Sequence, residues 1–412
     1  MIQVRAWSAA IAAALLLSMS GASAQTFDSE APRQASRLLQ PSQLQSAIHK
    51  VDAMVPVAGH MYLFNVQSNW GTFRAHGYDA LVILLRELYA IQQLDETSKT
   101  EAYGKALGRA AGAPIRAVEN LVQDPGGTVS DIPRGIGSMF SRIGDSLTSS
   151  NKSDDGVIAS ATGAAAKRRE IAVRYSVSPY SENKVLQDKI AELARAEALG
   201  GLTMSVAAMA MPGGIGMAFS LPRTTQNLTA LLRDRTPAEL RELNYDTLRG
   251  LGISVQDARA FLASPSYNPG DQTVMVHSLS LLRGVRQLES YVRLATVAEH
   301  PDEAAVYRRI AQMMAGFVEQ GGRIDNVGVI HALPVALSTD RDALLFLPLD
   351  ELLWTQRSSQ TAAAFEQIVN PLQPRQKHLY LAGYASPAMK RELAAKGWTV
   401  HEAMRGRLYD IM

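Results

Sequence analysis

Apolar and polar positions change their spacing several times along the chain, and each change marks an element. Tyr62, Phe64 and Val66 alternate with Leu63, Asn65 and Gln67, and this period of two predicts a strand. Asn69, Trp70 and Gly71 supply turn chemistry, and Thr72 to His76 reads as the returning strand. From Tyr78 to Leu94 the spacing lengthens, with Leu81, Leu84, Leu85 and Leu88 on one helical face. A small hairpin packed on a helix is expected here. A weaker helical pattern precedes it, from Ser36 to Val51, with Leu38, Leu39, Leu44 and Ile48 on one side.

An Ala-rich helix is expected from Lys99 to Val122, interrupted by Pro114. Two glycine clusters follow, at Asp124 to Gly127 and at Ile132 to Gly137. Neither has the Lys-Ser or Lys-Thr that a phosphate loop requires, nor a strand and helix on either side, so both read as connector. Ser146 to Ala166 has few bulky apolar residues and is expected to be a flexible loop, assigned to residues 146–170. Ile171 to Ser176 is read as a short strand, and Asn183 to Ala198 as a helix carrying Val185, Leu186, Ile190 and Leu193.

Between Ala198 and Pro222 there is no charged residue. Pro212-Gly213-Gly214 divides this stretch into two short apolar arms, each well below the roughly 20 residues of a membrane-spanning helix. A buried helical hairpin is the favoured reading. A surface for a second copy or an envelope protein partner is the next, and peripheral membrane contact is the least favoured.

The following region is the most regular. Thr236-Pro237-Ala238-Glu239 is a capping box with proline at the first helical position. Further helices are expected from Ser254, over Asp271 to Leu282, over Val285 to Ala298, and from Pro301 to about Gln320. Short connections between them predict a helical bundle over residues 171–322. After Gly322 the pattern changes to continuous apolar runs at Val327 to Ala336 and Ala343 to Pro348, then a helix over Glu351 to Val369. His378 to Ala382, Pro387 to Lys396 and Trp398 to His401 then read as strand, helix, strand, a unit whose two strands should be parallel. The expected fold is thus mainly α, a helical bundle with a small N-terminal hairpin region (residues 25–145) and a C-terminal α/β module (residues 323–412), α+β as a whole.

Composition adds a destination. Arg5, the apolar run Ala9 to Met19 and the small residues Ala22-Ser23-Ala24 make a secretory signal peptide over residues 1–24, with Gln25 as the mature N-terminus. A periplasmic or secreted location is expected. There is no cysteine, which excludes disulfides, thiolate metal sites and a cysteine nucleophile. The formal charge of +2 offers no basic face for nucleic acid.

Candidate chemistry is sparse. Ligands of parallel α/β sheets bind beyond the carboxyl ends of the strands, and here that edge carries Asp350, Gly383, Ser386 and His401. These four are the candidate ligand-binding residues. Ser386 followed by Pro387 is also the pattern of a plain helix cap, and the surroundings lack the G-x-S-x-G of a nucleophile elbow, so no catalytic residue is assigned. The eight histidines form no H-x-x-x-H or H-E-x-x-H pair, and no metal or cofactor is expected. His277 and His331 are each expected to be satisfied within the core or at its boundary. The leading functional reading is an exported, non-enzymatic interaction or structural protein of the bacterial envelope. A ligand-binding protein or enzyme using the C-terminal strand-end edge is the alternative.

Overall fold

In the computed structural model of the chain, residues 27–105, 155–200, 223–330 and 332–411 are described. Of the described residues about 53% are helical and 19% are in strands, the strands lie in several sheets, and the class is mixed α+β. The leader (residues 1–24), the glycine clusters and the apolar stretch after Gly200 fall outside the described residues, as does most of the Ala-rich segment after Lys99.

The N-terminal sheet has four strands, β1 (His49–Val51), β2 (Val57–Ala58), β3 (Met61–Ser68) and β4 (Gly71–His76), with β3 antiparallel to the other three. Phe64 and Val66 are buried as their alternation predicts, and they join Leu81, Leu84, Leu85 and Leu88 of helix α1 (Tyr78–Ser98) in one core. The helix expected over Ser36 to Val51 is instead two single turns, Ala35–Leu38 and Pro41–Leu44, followed by β1. Pro41 is the cause, since it holds the preceding Gln40 in an extended conformation.

Helix α2 spans Asp155–Arg174 and α3 spans Lys184–Gly200. Two expectations are corrected here. The loop assigned to residues 146–170 is helical from Asp155, and the strand read at Ile171 to Ser176 is the end of the same helix. Ile171 and Tyr175 both turn inward, and the Tyr175 N–H donates to the Ile171 carbonyl at 3.0 Å. A six-residue alternation thus concealed an i, i+4 pair. Arg174 and Lys167 of α2 converge on the buried carboxylate of Glu197 in α3, at 2.5 and 3.2 Å.

Six more helices follow: α4 (Arg223–Asp234), α5 (Pro237–Gly250), α6 (Val255–Ala263), α7 (Pro269–Ser280), α8 (Leu288–Thr296) and α9 (Pro301–Glu319). The capping box at Thr236 forms, with the Glu239 N–H donating to Thr236 Oγ1 at 3.2 Å and the Thr236 N–H to Glu239 Oε2 at 2.7 Å. Ser254 and Asn268 cap α6 and α7, their side chains accepting from the Asp257 and Asp271 N–H groups. Helix α7 is covered on most sides by α5 and α9.

The C-terminal part holds β5 (Ile324–Ile330), β6 (Leu333–Ser338), β7 (Ala343–Leu347), the short β8 (Glu351–Leu352), helix α10 (Gln356–Val369), β9 (Lys377–Leu381), the short β10 (Tyr384–Ala385), helix α11 (Pro387–Ala395) and β11 (Trp398–His401). Five strands form one sheet in the order β11-β9-β7-β6-β5, with β11, β9 and β7 parallel and β6 and β5 antiparallel. The expected β9-α11-β11 unit is present with parallel strands. The apolar run from Val327 to Ala336 is not one strand but a hairpin, turning between Ile330 and Leu333, with Ala332 at a left-handed φ of 63°. The helix expected from Glu351 starts at Gln356, because Thr355 caps it and Glu351–Leu352 pairs in parallel with β10.

Alternation divides the sheet into two buried faces, as a sheet covered on both sides requires. Leu344, Phe346 and Tyr380 face the helical layer of α8 and α9. Leu345, Leu379, Leu381 and Trp398 face α10 and α11.

Candidate functional site

A cluster of buried charges joins the three parts of the molecule. Asp79, in the first turn of α1, accepts from Arg309 of α9 at 2.7 Å, from Arg405 after β11 at 2.6 Å and from the Tyr409 hydroxyl at 2.7 Å. Asp350, between β7 and β8, pairs with the same Arg405 and accepts from the Tyr62 and Tyr78 backbone N–H groups. Burial alone would raise the Asp79 carboxyl, but Arg309 and Arg405 outweigh it and hold it below the ordinary range. Asp350 has one arginine instead of two, and burial leaves its carboxyl raised. This cluster is a frame for neighbouring surfaces, with its polar atoms turned toward one another.

One of those surfaces is a cleft of about 1050 Å³ between the second sheet face and α10. Its floor is apolar, made by Leu333, Leu345, Leu347 and Leu379, with Met389 and Leu393 of α11 and Trp398 of β11. Its roof is α10, and the sequence of α10 explains why the space exists. The first half of the helix, Gln356 to Thr361, has no large apolar side chain, and only Phe365 and Val369 of this helix are fully buried. Nothing in the first half can fill the volume above Leu345 and Leu379, which a close-packed interior would otherwise close. Gln356, Arg357, Gln360 and Thr361 line the roof instead, so the cleft is apolar below and polar above.

The mouth is made by the N-terminal part. Gly59 and His60, both left-handed at φ 56° and 69°, form the turn between β2 and β3. This turn docks on the β7–β8 connection, where the His60 carbonyl accepts from the Asp350 and Glu351 N–H groups, both at 3.1 Å. His60 Nδ1 accepts from the Leu353 N–H at 3.2 Å, and burial pushes the ring below its ordinary pKa. Asp28 lies at the same rim, accepting from the Trp354 N–H at 2.7 Å and from the Ser386 hydroxyl. Lys396, over the Trp354 ring at 5.6 Å, and Glu366 complete it. Burial opposes ionisation of Glu366, but the Lys377 ammonium and the Trp398 indole N–H outweigh it and lower its pKa.

The four residues singled out from sequence do not meet at one point. Asp350 belongs to the charge cluster. Gly383 packs against the Asp350 backbone so tightly that a Cβ would lie 1.9 Å from the Asp350 carbonyl oxygen. Ser386 caps α11, accepting from the Met389 N–H at 3.0 Å while donating to Asp28. His401 is on the opposite sheet face, stacked on Tyr380 at 4.5 Å and 3.1 Å from His378 Nδ1. None of the four lines the cleft, and Ser386 is linked to it through its bond to Asp28 at the rim.

Sequence reasoning missed the cleft because its signal is an omission, the polar first half of α10. His331 falls outside the described residues. His277 departs from expectation, for its Nε2 is buried without a hydrogen-bond partner beside a smaller cavity of about 360 Å³ between α7, α9 and Gly406 to Asp410. Among the described residues no helix is long and apolar enough to cross a membrane. Compared with protein-family models, curated proteins and solved structures, the chain matches none of them.

Proposed function

We propose that this chain is an exported binding protein that holds an amphipathic small molecule, with an extended apolar body, in the cleft under α10. The observation that carries the reading is a leucine-floored space of about 1050 Å³ beneath a helix whose first half has no side chain to fill it. Ligand pockets are commonly about 300–1000 Å³, mostly apolar with a few polar groups, and this cleft is at the upper end. The floor takes the apolar body, and Gln356, Gln360 and Arg357 offer donors to a polar head. Binding is favoured over catalysis because the polar groups at the rim are committed to structural bonds. Asp28 serves Trp354 and Ser386, Ser386 caps α11, and His60 Nδ1 accepts from the backbone.

The test is displacement of a fluorescent fatty-acid probe, with Ala362→Trp placed to fill the cleft from the roof. Saturable binding that falls at least about tenfold in the variant, with an unchanged melting temperature, supports the reading. No displaceable binding, or binding indifferent to the substitution, overturns it. Export rests on the leader pattern and is checked by sequencing the mature N-terminus, expected at Gln25. An accompanying proposal places a second copy or an envelope partner on the apolar segment 198–222. A strict monomer by light scattering that crosslinks to no envelope protein removes it.

A further inference from the structure

The geometry points to a second site, on the other face of the same sheet: His378 Nδ1 and His401 Nε2 form a two-imidazole chelate for a late first-row divalent metal, Cu²⁺ foremost. Parallel pairing of β9 with β11 sets Tyr380 opposite His401. His378, two positions before Tyr380, therefore shares a face with His401. The two ring nitrogens lie 3.1 Å apart. Imidazole nitrogens bound to one metal at about 2.0–2.1 Å in adjacent positions are themselves ~3 Å apart, so the separation already matches the bite of a chelate.

Two neighbours prepare the pair. The Gln376 Oε1 lies 3.1 Å from His378 Nε2. An amide oxygen only accepts, so it fixes the proton on Nε2 and leaves the Nδ1 lone pair free, which is the role of a hydrogen-bonded outer partner at metal sites. The Tyr380 ring lies flat on His401, at 4.5 Å with an 11° interplanar angle, and Phe346 stacks on Tyr380 in turn at 5.1 Å. This ladder fixes the plane of the His401 ring. Without metal, His401 Nε2 donates its proton to His378 Nδ1. On binding, that proton moves to His401 Nδ1 and the metal takes its place between the rings, with no net proton released. Both histidines are half-buried, so water can complete the coordination. Among the described residues no group of three or more His, Asp or Glu could hold a metal. The site therefore has two protein ligands and open positions, a composition suited to Cu²⁺, the strongest binder of the divalent series, over a closed structural zinc site.

The full-length, tag-free chain is titrated with CuCl₂ and followed by electron paramagnetic resonance. The expected result is one strongest equivalent with nitrogen hyperfine structure from two imidazoles. His378→Ala and His401→Ala should each weaken it by about tenfold or more, and Gln376→Ala by less. On the unaltered protein, ¹⁵N-imidazole spectra should show sub-stoichiometric Cu²⁺ broadening His378 and His401 first, which needs no variant to fold. A strongest equivalent that survives both alanine variants, or broadening that begins at other histidines, overturns the proposal.

Discussion

Arg309 of α9 lies 2.7 Å from the carboxylate of Asp79 in α1, and the two side chains are only 7% and 4% exposed. The pair fastens the N-terminal sheet and its helix to the helical layer. Removing Asp79 leaves Arg309 buried without its partner, at a cost of about 3–5 kcal/mol, whereas removing Arg309 leaves Asp79 with Arg405 and Tyr409 and should cost less. Asp79→Asn and Arg309→Met should each lower the urea midpoint accordingly. The double variant Asp79→Leu with Arg309→Met should recover part of the loss, because no orphan charge then remains between them.

The same carboxylate gives a pH dependence of defined sign. Asp79 is held below its ordinary value, burial being outweighed by Arg309 and Arg405. Its contribution is therefore complete above the unfolded carboxyl pKa of about 4 and is lost as pH falls through that value toward the folded one. Asp350, raised by burial, works in the opposite sense. The stability difference between wild type and Asp79→Asn reads chiefly the contribution of Asp79, whose charge also helps to raise Asp350. Measured by urea unfolding, it should shrink steadily between about pH 5 and pH 3.

Gly383 is required for close approach. Gly383→Ala places a Cβ 1.9 Å from the Asp350 carbonyl oxygen, and Gly316→Ala places one 1.8 Å from the Leu408 carbonyl oxygen. Each clash is with backbone, so each should cost about 2 kcal/mol or more. Gly328→Ala, whose nearest neighbour is the Val335 oxygen at 4.0 Å, is the comparison that should be well tolerated. Thermal melts of the three variants decide the matter.

The cleft has a reporter of its own. Trp398 forms part of its floor, so an apolar ligand in the cleft should shift the tryptophan emission of the protein to shorter wavelength. Trp398→Phe should remove most of that change.

Thr236→Ala should cost about 1 kcal/mol by leaving the Glu239 N–H without its cap. A drop in the urea midpoint with an unchanged slope is the expected outcome.

What could be read from sequence follows a physical rule. Elements whose signal is local were legible: the hairpin of Phe64 and Val66, the leucine face of α1, the Thr236 box, and the β9-α11-β11 unit. Errors fell where a short pattern admitted two periods, as at Ile171 to Tyr175, or where one apolar run concealed a turn, as at Ala332. The candidate site was legible only at its margin. Ser386 was identified, yet what matters at Ser386 is its bond to Asp28, a residue near the other end of the described chain. His401 was identified too, but its partner His378 is supplied by strand register, which no local spacing encodes. The histidine pair has no sequence motif because its spacing depends on the helix between the strands.

The closure of Arg405 and Tyr409 onto Asp79 also sets an order of events during synthesis. Asp79 emerges well before Arg309, and Arg405 later still, so the buried carboxylate of α1 has neither counter-charge until α9 has been made and only one until Arg405 follows. Contacts so distant in sequence are slow to form, and until they form the N-terminal core carries an unpaired charge that opposes its burial. Burial of the Asp79 carboxylate is thereby opposed until Arg309 and then Arg405 arrive to pair with it.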